Sequence, residues 1–491
     1  MSGALESYGA RVRHLGALRG DEVAVVFAAE GGAETRTTWA ELDARSTQVA
    51  RALQRQGVGY GDRLAIALRN SPEHLFASFG GWKLGAVVVP QRWDLPQWER
   101  SRLLDVLRPR FVVDAATIGI VRSSTAEPVG ALPDVVPPCS RGLCSSGSTG
   151  TPKVIIIERP GLVDPAVISI TMSIIESYAP VVHPQTVLVP GPLYHTNSFA
   201  CTNHLMAGDA VVLMEKFDGA RALELIERHR VHGFTAATTI LQRMARAPEL
   251  GDRDLSSLAW VQQGAAVLPH WLARAWIAMV GPDHFFMSYG MSEGLGLCAI
   301  RGDEWLAHPG SVGRPWGGTL VRVVGEDGRE VPAGTVGEIY LKTPGGTVYG
   351  YLGDVPPLPV TDDGFATAGD LGWVDGDGYV YVVDRRVDLI ITGGANVFPA
   401  EVEAALSEHP AIADVVVIGL PDPEWGRRVH AVVQAAGDID ADDVVAWARE
   451  RLAPYKVPKS VEFVAALPRT EAGKVNRGRL VDARQPREGS V

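Results

Sequence analysis

The chain has 491 residues, 46% hydrophobic and 21% charged, too long for one ordinary core, and predicts at least two globular domains. Its formal net charge of −11 excludes a general nucleic-acid-binding surface but leaves room for a nucleotide held by a few local cations. Four cysteines without C-x-x-C spacing signal neither a zinc site nor a disulfide framework, and with no signal peptide or membrane-length apolar run a cytoplasmic location is expected.

The first clear element is "TWAELDARSTQVARALQRQGV". Thr38 and Glu41 form a capping box, Leu42, Val49 and Leu53 recur at helical spacing, and Gly57 ends the run. "DRLAIALRN" reads as a short buried strand, "SPEHLFASFGGWKLG" as a helix and "AVVVP" as the next strand. That rhythm predicts a parallel sheet with crossover helices. "STAEPVGALPDVVPPCSRG" is a Pro-rich connection. The strand–helix–strand rhythm returns in "TVLVPGP", "ARALELIERHRV" and "GFTAATT", so most of residues 1–290 is predicted to be α/β.

From Gly310 the texture changes to short strands and frequent turns, "LVRVVGEDGREV", "GEIYLKT" and "GYVYVVD", which predict a β-rich subdomain. Beyond "DRRVD", the pieces "PAEVEAALSEH", "IADVVVIGL", "RVHAVVQ", "DDVVAWARERL" and "SVEFVAAL" form a compact α+β set. The predicted organisation is a large N-terminal domain of α/β layers plus a β-rich subdomain, residues 1–385, and a small α+β domain, residues 386–491.

Within the first domain lies "CSSGSTGTPKV". Ser145, Ser146, Gly147, Ser148, Thr149, Gly150 and Thr151 offer hydroxyls and backbone amides, and Lys153 adds a cation. This composition can cradle phosphate. Its spacing is not that of the common G-x-x-x-x-G-K-S/T loop, and a Gly/Ser linker is the plain alternative.

Four further motifs follow in order: "YGMSEG" at 289–294, "AGDLG" with Asp370, "VDRRVD" with Arg385, and "LPRTEAGKVNR" with Lys474. Together with the opening loop they resemble the adenylate-forming superfamily of acyl-CoA synthetases, nonribosomal adenylation domains and luciferases, along nearly the whole chain. The resemblance implies that the small domain is mobile and rotates between two half-reactions. A carboxylate attacks the α-phosphorus of MgATP, giving an acyl-adenylate and pyrophosphate. A thiol, usually that of coenzyme A, then attacks the acyl carbon and expels AMP.

The resemblance also implies residue roles. The nucleotide site is expected from the opening loop, from Gly264, Ala265 and Ala266, from Ser288, Tyr289, Gly290, Met291 and Ser292, and from Asp370, Val382 and Arg385. Tyr289 would stack on adenine, Asp370 would accept both ribose hydroxyls, and Arg385 would approach the ribose or phosphates. Glu293 is the matching Mg2+ ligand, because a hard cation needs a carboxylate. Lys474 would bridge the substrate carboxylate and the α-phosphate. His195 matches a position that gates the carboxylate site. Gly393, Gly394 and Trp425 match the coenzyme A path, where glycines let a thiol arm pass close to backbone. Val387 holds the hinge position. Taken singly, each has an ordinary reading as a core aromatic, a helix-start acid, a turn acid or a surface base. The chain departs from the common pattern at Val154, Met287 and Val387, and in the short, Pro-rich "GYLGDVPPLPVTDDGF".

The acyl pocket is expected from His195, Asn197, Ser198, Phe234, Thr238, Thr239, Gly264, Ala265, Ser288, Gly290 and Met291. None is an Asp able to anchor an α-amino group, so an amino-acid substrate would bury an unpaired ammonium at high cost. "GDEWLAHPGSVGRP" and "QRWDLPQWER" resemble ligases for bulky bile-acid, steroid or polycyclic acids, with fatty acids as the neighbouring alternative. No carrier domain follows Lys474, so the thiol is expected from outside, as coenzyme A or a separate acyl carrier protein. A homodimer, a non-catalytic acyl- or nucleotide-binding homologue and a luciferase-like oxygenase stay open as readings.

Overall fold

The central sheet has nine strands in the order Arg314–Pro315, Leu297–Arg301, Phe285–Gly290, Trp260–Gln263, Gly233–Ala236, Thr186–Val189, Ala210–Met214, Val23–Ala28 and Glu34–Thr38. It was obtained as a computed structural model that describes residues 5–146, 152–165, 170–179, 181–346, 348–385, 388–470, 473 and 475–484. From Phe285–Gly290 to Val23–Ala28 the strands run parallel, and antiparallel strands close both ends. The parallel strands are short apolar runs because helices cover both faces. One face packs on the helices Gly219–His229, Thr238–Ala245 and His270–Val280 through Phe234, Val261, Trp276 and Phe285. On the other face, Trp260 and Phe286 meet Ile174 and Ile175 of the helix Ile170–Tyr178.

A second, smaller parallel sheet has Arg63–Ile66 between Val87–Pro90 and Phe111–Val113. Its crossover helix Pro72–Lys83 starts at a Ser71 cap with Pro in the first turn. The helix Trp39–Arg55 carries the expected Thr38–Glu41 capping box and packs Trp39, Leu42 and Leu53 into the core with Phe79 and Trp82.

Two antiparallel sheets then frame the site. Arg141–Ser146 pairs with Pro152–Ile157, Ser145 opposite Lys153, and Tyr349–Leu352 pairs along the other edge of Pro152–Ile157. Residues 147–151 of the opening loop lie outside the described residues. The β-rich subdomain is a four-stranded sheet of Leu320–Val324, Gly337–Lys342, Asp370–Val374 and Val380–Arg385.

From Ile390 onward the chain builds a separate sheet, Ala395–Val397, Ile390–Thr392, Gly426–Ala435 and Ile412–Asp422, with Ser460–Phe463 parallel to Gly426–Ala435. Its own core gathers Ile390, Val402, Leu406, Val417 and Val444. The architecture is a large N-terminal α/β domain with a smaller C-terminal α+β domain. The two meet where Gln242 Nε2 and Arg246 Nη1 donate to the Ala413 carbonyl at 3.1 and 2.5 Å. They meet again where Arg479 pairs with Glu99 at 3.1 Å and lies 5.3 Å over the Trp98 ring. Among the described residues no helix is long and apolar enough to cross a membrane.

Candidate active site

The carboxyl ends of three neighbouring parallel strands, at Ala236, Gln263 and Gly290, open onto one region, the usual place for a ligand on such a sheet. Gln263 organises it. Its buried Nε2 donates to Thr238 Oγ1 at 3.0 Å and to the Ala266 carbonyl at 2.7 Å, and Thr238 Oγ1 donates to the Val267 carbonyl at 3.1 Å. These bonds fix the strip 264–266. Within it Ala265 has φ +82°, a left-handed conformation that costs a residue with a Cβ about 1–2 kcal/mol. Gly264 is buried, while Ala265 and Ala266 are exposed along the expected adenine wall.

Beside the strip runs a row of polar groups across three strands. Thr235 Oγ1 donates to Gln262 Oε1 at 3.0 Å, and Gln262 Nε2 donates to Ser288 Oγ at 2.9 Å. Ser288 and Asn197 flank Gly264, so closely that a Cβ there would lie 3.3 Å from Asn197 Nδ2 and 3.5 Å from Ser288 Oγ. A small cavity next to this row is lined by Asn197, Ser198, His204 and Thr235. Phe234, expected in the acyl pocket, faces the opposite way. It is fully buried on the other side of the sheet with its ring edge-on to Trp276 at 5.9 Å. Strand alternation thus gives the cavity to Thr235. Met291 packs instead with Leu295, Leu341 and Tyr349. The Thr238 hydroxyl is spent on the Gln263 network, and Thr239 lies against Gly473 of the small domain.

His195 precedes the short helix Thr196–Phe199, its ring tilted on Tyr194 at 4.5 Å. Thr196 Oγ1 lies 3.3 Å from Ser292 Oγ, which joins this turn to the loop after the strand Phe285–Gly290. The Tyr289 hydroxyl donates to Asp370 Oδ2 at 2.7 Å. Asp370 stands opposite Arg385 in the strand register, and Val382 packs in the same cluster as Tyr289.

Glu293 is half-buried, and Tyr351 Oη donates to its Oε1 at 2.7 Å. Burial, and then this carboxylate, push the Tyr351 phenol well above its usual range, so it stays a donor. Lys153 Nζ lies 5.3 Å from the centre of the Tyr351 ring. Among the described residues no group of three or more His, Cys, Asp or Glu could cage a metal. One carboxylate suits Mg2+, which keeps several waters and takes other ligands from phosphates. The donor set therefore fits.

On the small domain, Gly393 and Gly394 have φ +56° and +80°. The Gly393 N–H donates to the Trp425 carbonyl at 2.9 Å, and a Cβ on Gly393 would lie 2.7 Å from the Trp425 ring. Lys459 Nζ covers that ring at 3.8 Å. The three residues expected on the thiol path therefore lie together. Val387 and Lys474 lie outside the described residues. Gly473 has its carbonyl held by Arg469 Nη1 at 2.9 Å, and Arg469 is itself gripped by Asp414 at 2.5 and 2.8 Å.

Sequence reasoning missed Thr235, Gln262, Gln263 and Tyr351. The glutamines carried a signal, two adjacent polar residues ending an apolar strand just before a small-residue strip. Tyr351 carried none, since its partner is 58 residues away.

The open end of the parallel sheet, with the Tyr289–Asp370 pair and the Glu293 carboxylate and with the small domain facing it, has the layout of a ligand site between two domains. The chain matches the family model "AMP-binding enzyme" over residues 13–136 and 143–352, and "AMP-binding enzyme C-terminal domain" over 401–474. It is 36% identical over 471 residues to a feruloyl-CoA synthase of an Amycolatopsis species, covering 91% of this chain and 94% of that protein. It is 32% identical over 482 residues to an indoleacetate–CoA ligase of Aromatoleum aromaticum, covering 90% and 92%. Its fold matches that of o-succinylbenzoate coenzyme A synthetase from Bacillus subtilis in complex with ATP and magnesium ion. That match has a TM-score of 0.80 and 26% identity, covering 97% of this chain and 100% of the other. The chain belongs to the AMP-binding enzyme family and is an AMP-forming acid–thiol ligase.

Proposed function

We propose that the protein activates an aromatic carboxylic acid bearing a polar ring substituent. The ligase takes ATP with Mg2+ and uses coenzyme A as the thiol acceptor. The observation that carries the choice of acid is the row Thr235–Gln262–Ser288 beside Asn197. The row pairs its own groups in series and ends at Ser288 Oγ, which accepts from Gln262, so a plain hydrocarbon would cover the Ser288 hydroxyl hydrogen and return no hydrogen bond, at about 1–3 kcal/mol. A ring hydroxyl or ether would accept that hydrogen. The similarity to feruloyl- and indoleacetate-activating ligases supports an aryl acid. A fused polycyclic, steroid-like or fatty acid is the second reading, favoured by the small side chains Gly264, Ala265 and Ala266. A separate acyl carrier protein is the alternative acceptor.

In the first half-reaction two anions meet, the substrate carboxylate and the α-phosphate, and a cation there lowers the barrier because its attraction grows as charge develops. Lys474 supplies it. The seating of Gly473 on Thr239, and of Ala413 under Gln242 and Arg246, supports an orientation in which the small domain serves adenylation. Lys153 and the hairpin hydroxyls take the β- and γ-phosphates, Asp370 takes the ribose, and the 264–266 strip with Tyr289 takes the base. Mg2+, held by Glu293, would neutralise charge on the departing pyrophosphate. His195 gates the carboxylate site. The small domain, residues 386–491, then turns about Val387 against residues 1–385, bringing Gly393, Gly394 and Trp425 to the acyl-adenylate.

The test is AMP release from a panel of acids with and without coenzyme A. Ring-hydroxylated aryl acids should be turned over best and only fully with coenzyme A, and Gln262→Leu should narrow their advantage over unsubstituted rings. Faster turnover of a fatty, steroid or free amino acid would overturn the choice of substrate.

A further inference from the structure

Lys153, Glu293 and Tyr351 come from three separate segments and meet at one point. The strand Tyr349–Leu352 runs antiparallel to Pro152–Ile157 with Leu352 opposite Val154, so ladder hydrogen bonds fix Tyr351 relative to the Lys153 backbone. The Tyr349 ring lies edge-on to that of Tyr351 at 5.1 Å and restricts its rotation. From this support Tyr351 does two things at once. Its hydroxyl holds Glu293 by Oε1, and its ring face carries the Lys153 ammonium.

We infer that Tyr351 is a positioning residue for the metal-bound triphosphate, holding the Glu293 carboxylate in place while keeping Lys153 from pairing with it. The inference rests on the reading of Glu293 as metal ligand and Lys153 as phosphate ligand. A lysine and a glutamate this close to a common neighbour attract each other, and a direct pair would have to be broken before phosphate and metal could enter. Among the described residues Lys153 and Glu293 form no ion pair, and Tyr351 stands between them, its hydroxyl on Glu293 and its ring face under Lys153. A ring suits this task because its face attracts a cation while its hydroxyl donates to an anion. With Oε1 occupied, the carboxylate is held in one rotamer and Oε2, which has no hydrogen bond among the described residues, is left for the metal. Groups that orient a metal ligand from behind commonly change metal affinity by 10–100-fold when removed.

The test measures binding rather than turnover, by calorimetry of α,β-methylene-ATP across a range of Mg2+ concentrations, with AMP binding in the absence of Mg2+ as control. Tyr351→Phe keeps the ring and loses the hydroxyl. It should raise the Mg2+ concentration needed for half-maximal binding by about tenfold, with AMP affinity and melting temperature unchanged. Tyr351→Ala should in addition weaken the Mg2+-free binding of inorganic pyrophosphate, and Glu293→Gln in that background should restore it by releasing Lys153. An unchanged Mg2+ midpoint in Tyr351→Phe, with a raised midpoint in Glu293→Gln, would overturn the inference and leave the metal assignment standing. Unchanged midpoints in both variants would overturn the metal assignment too. A parallel loss of AMP affinity in Tyr351→Phe would count against the inference, because AMP does not use this corner of the site.

Discussion

The Tyr289 hydroxyl donates to Asp370 Oδ2 at 2.7 Å, tying the end of the strand Phe285–Gly290 to the first residue of the strand Asp370–Val374. The bond orients as one unit the Tyr289 ring proposed for the base and the Asp370 carboxylate proposed for the ribose. The two halves contribute unequally. Tyr289→Phe keeps the stacking surface and loses one hydrogen bond worth about 1 kcal/mol, so AMP affinity should fall about fivefold. Asp370→Asn loses charge-assisted bonds to the ribose and should cost about 100-fold. Calorimetry with AMP separates them, and near-wild-type affinity in Asp370→Asn would remove Asp370 from the ribose site.

The strip 264–266 holds strain and the means to keep it. Ala265→Gly should stabilise the protein by about 1 kcal/mol, because glycine adopts φ +82° without a Cβ clash. Gln263→Leu removes the donor to both Thr238 and Ala266, two hydrogen bonds worth about 1 kcal/mol each, so it should destabilise by about 2 kcal/mol and raise KM for ATP. Urea denaturation of both variants gives the signs. A less stable Ala265→Gly would mean that the alanine is not strained.

Much of this was legible locally and some of it was not. The Thr38–Glu41 capping box needs only residues three apart, and it forms as read. The strand containing Phe234 is legible in "GFTAATT", but both faces of a parallel strand can be apolar, so nothing in that stretch says that Thr235 rather than Phe234 faces the cavity. Helix packing on one side decides it. Tyr351 and Glu293, or Gln242 and Ala413, lie on elements whose approach is set by the whole topology, and no local pattern records such contacts.

Asp209 is buried between two imidazoles, accepting from His183 Nδ1 at 2.7 Å, His204 Nδ1 at 3.0 Å and the Gln185 N–H at 2.8 Å. Burial alone would raise its carboxyl, but the bonds from His183, His204 and Gln185 outweigh this and bring it down to about 2. The bond to Asp209 in turn raises His183 above its ordinary 6.5. A histidine raised on folding contributes stability in full below 6.5 and loses it as pH rises through the folded value. The depressed Asp209 contributes above 3.8 and loses its share as pH falls through about 2. Thermal unfolding should therefore show a loss of stability on going from pH 6 toward pH 9 that His183→Asn removes. Parallel profiles for wild type and variant would contradict this.

Arg246 and Gln242 on the large domain share one carbonyl of the small domain, that of Ala413. Arg246→Ala loses a hydrogen bond from a charged donor and should slow acyl-adenylate formation about tenfold. Thioester formation from a supplied acyl-adenylate should be spared. Equal slowing of the two steps would show that this contact does not belong to the adenylating orientation.

The most direct test of the two-step account is pyrophosphate release and thioester formation measured separately on Lys474→Ala. Lys474 is assigned to the first half-reaction alone, because only there do two anions meet. The variant should lose pyrophosphate release by several orders of magnitude, as removal of a transition-state contact does, and still convert a supplied acyl-adenylate and coenzyme A to thioester. Wild-type-like pyrophosphate release, or equal loss of both steps in a folded variant, would contradict it.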